Sequence, residues 1–75
     1  MYITINIFKT KLLKHTYINA YDKITLGEFK KLLKELNVNI DDIKYIKNKK
    51  YQTIDDDDYE MRVEGAESIV NIYLS

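Results

Sequence analysis

One segment of this chain, and only one, repeats its apolar residues at helical spacing. Between residues 24 and 37, Leu26, Phe29, Leu33 and Leu36 recur three and four apart, Leu32 widens the stripe, and Lys30, Lys31, Lys34 and Glu35 occupy the opposite side. Its start is marked in the sequence. Thr25 is placed to accept a hydrogen bond from a first-turn N–H, and Glu28 to reach back to the Thr25 N–H, the T-x-x-E capping box. Ile24 and Phe29 suit a hydrophobic staple. Asn37, tolerant of a left-handed conformation, offers the stop. The pattern predicts an amphipathic helix of about three turns. Gly27 is the residue that capping leaves unexplained, because glycine in a helix costs roughly 0.5–1 kcal/mol relative to alanine.

A single helix with one apolar stripe needs a sheet to cover, and the rest of the chain supplies strand patterns. "YITINIF" (2–8) alternates strictly, with Ile3, Ile5 and Ile7 on one face. After a turn at 9–11, "LLKHTYINA" (12–20) reads as a second strand of ambiguous phase, Leu13/His15/Tyr17 competing with Leu12/Thr16/Ile18 for the inner face. Beyond the helix, "IKYIK" (43–47) is a third strand, "NKK" (48–50) a turn and "YQTI" (51–54) a short fourth strand. Residues 55–67 read mostly as loop, and "SIVNIYL" (68–74) closes the order with Val70, Ile72 and Leu74 facing in. Seventy-five residues without repeats or linkers make one domain, 1–75. The order β-β-α-β-β-β, one helix on a small mixed sheet, is that of the α+β ubiquitin-like β-grasp. In that architecture the first and last strands pair in parallel at the centre, which leaves the second and fourth as edges carrying unpaired N–H and C=O groups.

Several chemistries are excluded by composition. There is no cysteine, hence no disulfide, thiolate catalysis or thiolate metal site, and a reducing cytoplasmic compartment fits. No apolar run reaches the roughly 18 residues of a membrane span, and "MYITINIF" lacks a basic lead and a small-residue cleavage site, so no membrane partner is expected. His15 stands alone, too few for zinc or a triad. Asp55, Asp56, Asp57 and Asp58 lack the spaced ligands and the glycine of a calcium loop. With no phosphate loop either, the expectation is a chain that is not an enzyme and needs no cofactor or metal. Net charge is zero, which argues against nucleic acid as a partner. The charge is nevertheless segregated: residues 1–54 hold eleven lysines against five acids, and residues 55–75 hold seven acids against Arg62.

Two stretches carry a resemblance to a known family. "TLGEFK" (25–30) is similar to the run that opens the helix of the DIX domain, the polymerising module of Dishevelled and Axin. "KYIKNKKYQTIDDDDYEMRVEG" (44–65) resembles its third strand with an aromatic ending, its fourth strand, an acidic segment and an "EG" turn. The loop between strands three and four is shorter here, and Arg62 stands where that family has proline. Ubiquitin and its relatives are the competing resemblance, through chain length and "DYEM" (58–61), although "IYLS" lacks the Gly-Gly of a conjugated modifier.

The DIX resemblance implies self-association. The edge of strand two would pair with the edge of strand four of the next copy, a heterologous contact that propagates into filaments for signalling or scaffold assembly. It places Lys14 and Thr16 on one surface with Phe29 nearby, and Lys50, Tyr51 and Thr53 on the other, with Asp55, Asp56, Asp57 and Asp58 meeting the hairpin lysines Lys9, Lys11 and Lys14. The partner is then a second copy or another DIX-like domain. The ubiquitin resemblance implies instead a monomeric, non-conjugated adaptor that binds partners through its sheet face, with Ile46 and Tyr73 in the patch.

Overall fold

The computed structural model describes all residues, 1–75. Strict alternation in the first strand has its expected consequence: β1 (Tyr2–Phe8) buries Ile3, Ile5 and Ile7 and turns Tyr2, Thr4, Asn6 and Phe8 to the other side. β2 (Leu12–Asn19) returns antiparallel to it, and the last strand, β6 (Ile69–Leu74), lies parallel to β1 from Thr4↔Ile69 to Phe8↔Tyr73. β4 (Ile43–Asn48) closes the sheet antiparallel to β6, giving the order β2-β1-β6-β4. A parallel pair needs a long crossover, and the helix α1 (Leu26–Glu35) lies on it. The fold is therefore α+β, one helix on a mixed sheet, compatible with the ubiquitin-like β-grasp.

The helix forms for the reasons written in its sequence. Thr25 Oγ1 accepts from Glu28 N–H at 3.2 Å, and the Thr25 N–H donates to Glu28 Oε1 at 3.3 Å, so both halves of the capping box are present. Leu26, Phe29 and Leu33 are wholly buried against Ile3, Ile5, Ile72 and Val70 in one thirteen-residue core, each side chain of this size contributing about 1.5–3 kcal/mol by leaving water. Asn37, at φ 63°, ends the helix in the left-handed conformation expected of it. Gly27 lies under a tertiary contact. Its N–H donates to the Asp57 carbonyl at 3.0 Å while Leu26 N–H donates to that of Tyr59, so the acidic loop closes over the helix start. A Cβ at position 27 would stand 3.4 Å from that carbonyl and 3.7 Å from the Asp57 Cβ, ordinary contact that admits alanine.

One sequence expectation needs correction and two are completed by the structure. Residues 51–54 form no strand: they meet the sheet through the single bridge Lys47↔Thr53, because Tyr51 leaves extended geometry at φ 60°. The segment 55–67 is more than loop. Its Glu60–Arg62 (β5) pairs antiparallel with Lys23–Thr25 (β3), a second, two-stranded sheet that fastens the entrance of α1. Short strands of three residues carry too few apolar positions to show a period. In β2, Thr16 and Ile18 face inward opposite Ile5 and Ile3, but a bulge after Ile7 sets Leu12 opposite Phe8 and breaks the Leu12/Thr16/Ile18 series.

Replacing Thr25 with alanine removes the acceptor for the Glu28 N–H and is expected to cost about 0.5–2 kcal/mol. A urea midpoint unchanged from that of the unsubstituted chain contradicts this role for Thr25.

Candidate interaction surfaces

The outer edge of β2 is open along its length. Ala20 N–H donates to the Met1 carbonyl at 2.7 Å, and the alternation of an antiparallel ladder from that pair turns the N–H and C=O groups of His15, Tyr17 and Asn19 away from β1. No strand lies beyond them. Leu12, Leu13 and Tyr17 are 51%, 56% and 63% exposed, so this edge lacks the usual protection of a charged or covered strand, apart from Lys14 and His15. Lys14 and Thr16, expected on this surface, point their side chains to the inner side opposite Ile7 and Ile5; Lys14 is exposed there and Thr16 half-buried.

On the opposite side of the sheet, β4 is covered by the strand-like segment 52–54. Asn48 N–H donates to the Gln52 carbonyl at 3.0 Å and Ile54 N–H to the Ile46 carbonyl at 2.8 Å, which leaves the Thr53 N–H and C=O between them facing outward. The turn before it is held by one buried side chain. Asn48, with no exposed surface, accepts at Oδ1 from the N–H groups of Lys50 (3.0 Å) and Gln52 (3.1 Å). Its Nδ2 donates to Gln52 Oε1 at 3.0 Å and to Glu67 Oε2 at 2.8 Å. Glu67 is buried as well, in the helical turn Ala66–Ser68. Its Oε1 accepts from the Tyr59 hydroxyl (3.0 Å) and the Arg62 N–H (2.9 Å), so its carboxylate replaces water with three donors. Burial of the Tyr59 hydroxyl, together with its hydrogen bond to the Glu67 carboxylate and that group's charge, raises the phenol above its ordinary value. Sequence reasoning missed both Asn48 and Glu67. The only signal was a polar residue at an inward strand position.

The remaining expected residues are placed as follows. Phe29 is fully buried and belongs to the core, where it supports the sheet and lies on no surface. Lys50, Tyr51 and Thr53 are exposed together at the β4 side. Asp57 is engaged within the molecule, accepting from Lys30 Nζ at 2.7 Å, and Asp56 Oδ1 accepts from the Asp58 N–H at 2.9 Å. The Asp55 and Asp58 side chains bond to no protein group. Ile46, expected on the sheet face, is 3% exposed and faces the core opposite Ile72; Tyr73 does lie on the outer face, stacked on Phe8 with ring centroids 5.2 Å apart. No helix is long and apolar enough to cross a membrane. No protein-family model matches this chain, and no curated protein or solved structure matches it either.

Glu67→Gln puts an amide Nε2 against Asn48 Nδ2, donor facing donor, if Oε1 keeps Tyr59 and Arg62. The expected loss is about 1–3 kcal/mol, the cost of a buried unsatisfied donor. Adding Asn48→Asp supplies an acceptor for that amide, so the double variant should be more stable than the sum of the two single losses allows. Strictly additive losses in urea denaturation contradict the pairing.

Proposed function

We propose that this protein is a non-enzymatic assembly module that associates head to tail with copies of itself, or with another DIX-like domain, into filaments. The observation that carries the reading is the unpartnered β2 edge, eight residues long and rich in exposed apolar side chains. Such an edge is a template for an added strand. The surface that answers it is the outward Thr53 backbone with Tyr51 and Lys50 beside it, on the far side of the sheet. The two surfaces differ, so the contact is heterologous and open-ended. The hairpin lysines Lys9 and Lys11 before β2 and Lys14 within it, and the carboxylates of Asp55 and Asp58 in the segment that follows Thr53, supply opposite charge to the two surfaces. Phe29 acts from inside, as core beneath the sheet, and Thr16 through its inward packing, so the β2 surface is redrawn around His15, Tyr17 and Asn19. A cytoplasmic, reducing setting suits a chain without cysteine.

The test is a mixing experiment. Tyr17→Asp charges the β2 edge and Thr53→Asp charges the other, and each variant alone should be monomeric by size-exclusion chromatography with light scattering at concentrations where the unsubstituted protein assembles. Mixed, the two retain one intact surface each and should form heterodimers that grow no further. Folded variants that give no heterodimer, or an unsubstituted protein that stays monomeric up to about millimolar concentration, overturn the reading.

A further inference from the structure

The sheet has a second face, opposite the helix, and nothing in the chain covers it. None of its four strands contains an aspartate or glutamate, so all twelve acids of this electrically neutral chain lie elsewhere. Two aromatic clusters stand on the outer face, at opposite ends of β1. Tyr2 and Tyr17 meet edge to face with centroids 5.2 Å apart, and Phe8, Tyr73 and Tyr45 form a row across β1, β6 and β4. Lysines lie among them. Lys47 Nζ is 5.3 Å from the Tyr45 ring centre and 6.0 Å from that of Tyr73, and Lys44 Nζ is 5.3 Å from Tyr45. Between the clusters a polar chain crosses three strands, His15 Nδ1 to Asn6 Oδ1 at 2.6 Å and Asn6 Nδ2 to Asn71 Oδ1 at 3.1 Å. Asn71 is 9% exposed, and its Nδ2 donates to no protein group.

Tyr51 adds an independent observation. It holds a left-handed φ of 60°, a conformation that costs a residue with a Cβ stability and that Gly or Asn adopts more readily. The residue is 71% exposed and its ring stacks on no other ring of the fold, so it returns little of that stability. With Phe8, Lys49, Ile69, Asn71 and Tyr73 it encloses a cleft of about 340 Å³ on this face. A strained, solvent-facing aromatic at the rim of an open site points to something outside the chain.

We infer that this face binds single-stranded nucleic acid. Rings on a flat sheet offer stacking platforms to bases, lysines between them meet phosphates, and unengaged amide donors meet base edges. An acid-flanked apolar protein segment is the competing ligand for a basic, aromatic surface. The face favours nucleic acid because Ile69, with Leu12 at the rim, is its aliphatic content, whereas aromatic and amide side chains occupy most outward positions. The zero net charge that argued against this partner is a sum over the whole molecule, while a ligand meets the local field of one face. The inference does not rest on head-to-tail assembly, which uses the backbone of the sheet edges, although Tyr17 and Tyr51 lie where the two surfaces meet; Tyr73 and Lys47 belong to the face alone, so their variants separate the two readings.

Fluorescence anisotropy with a labelled oligouridine of about 12 nucleotides, at about 50 mM salt, tests it directly. The expected result is saturable binding that weakens as salt rises, at least about 5-fold weaker binding for Tyr73→Ala, and a similar loss for Tyr51→Asn, at an exposed position, and for the half-buried Lys47→Glu, each variant checked for an intact fold by circular dichroism. Tyr51→Asn should at the same time unfold at higher urea than the unsubstituted chain. A labelled DNA duplex and a labelled alternating Glu-Tyr peptide are the comparison ligands. Failure to bind oligouridine at about millimolar protein, duplex binding of equal strength, a preference for the peptide, or affinities indifferent to all three substitutions each overturn the inference.

Discussion

The parallel ladder between β1 and β6 is the constraint from which the other features follow. Joining the two ends of the described chain at the middle of the sheet forces β2 to one flank and β4 to the other, and it requires a crossover that α1 provides. The inward residues of that ladder, Ile5, Ile7, Val70 and Ile72, are the floor on which Leu26, Phe29 and Leu33 pack. With one helix available, only one face can be covered. The architecture thus produces an open edge and an uncovered aromatic face together.

A different kind of restraint shapes the β4 side. The segment after β4 has one bridge to the sheet, and its path is set mainly by Asn48 and Glu67, whose hydrogen bonds gather the 49–52 turn, Tyr59 and the Arg62 backbone around one buried carboxylate. A buried charge of this kind is weak as a source of stability and strong as a determinant of a unique arrangement, since any slip leaves a donor or acceptor unmet in a dry site. That is how a tyrosine can be kept in a left-handed conformation at the rim of the sheet face.

The local features were legible in the sequence where one short-range rule decides them. The T-x-x-E cap, the helical stripe, the alternation of "YITINIF" and the left-handed stop at Asn37 all depend on neighbours within four residues, and each is present as read. What the sequence concealed depends on distant partners. β3 and β5 exist because Lys23–Thr25 and Glu60–Arg62 meet across the 34 intervening residues 26–59, and neither has a period of its own. The 51–54 segment has strand composition, yet a side chain three residues earlier, Asn48, bends the chain out of extended geometry. Phe29 and Ile46 were candidates for surface roles through resemblance, and burial assigns both to the core. The acid-free strands could be read directly from the sequence, but only the strand order reveals that their outward residues form one continuous face.

Amide hydrogen exchange of β2, followed by NMR in dilute and in concentrated protein, addresses the central claim that this edge is open in the single molecule and filled in the assembly. The account predicts that in dilute protein the His15 and Tyr17 N–H groups exchange rapidly while those of Ile3, Ile5 and Ile7 are protected, and that concentration slows His15 and Tyr17 selectively. Protection of His15 and Tyr17 already in the dilute monomer, or an unchanged rapid rate in a sample where light scattering shows large particles, would contradict it.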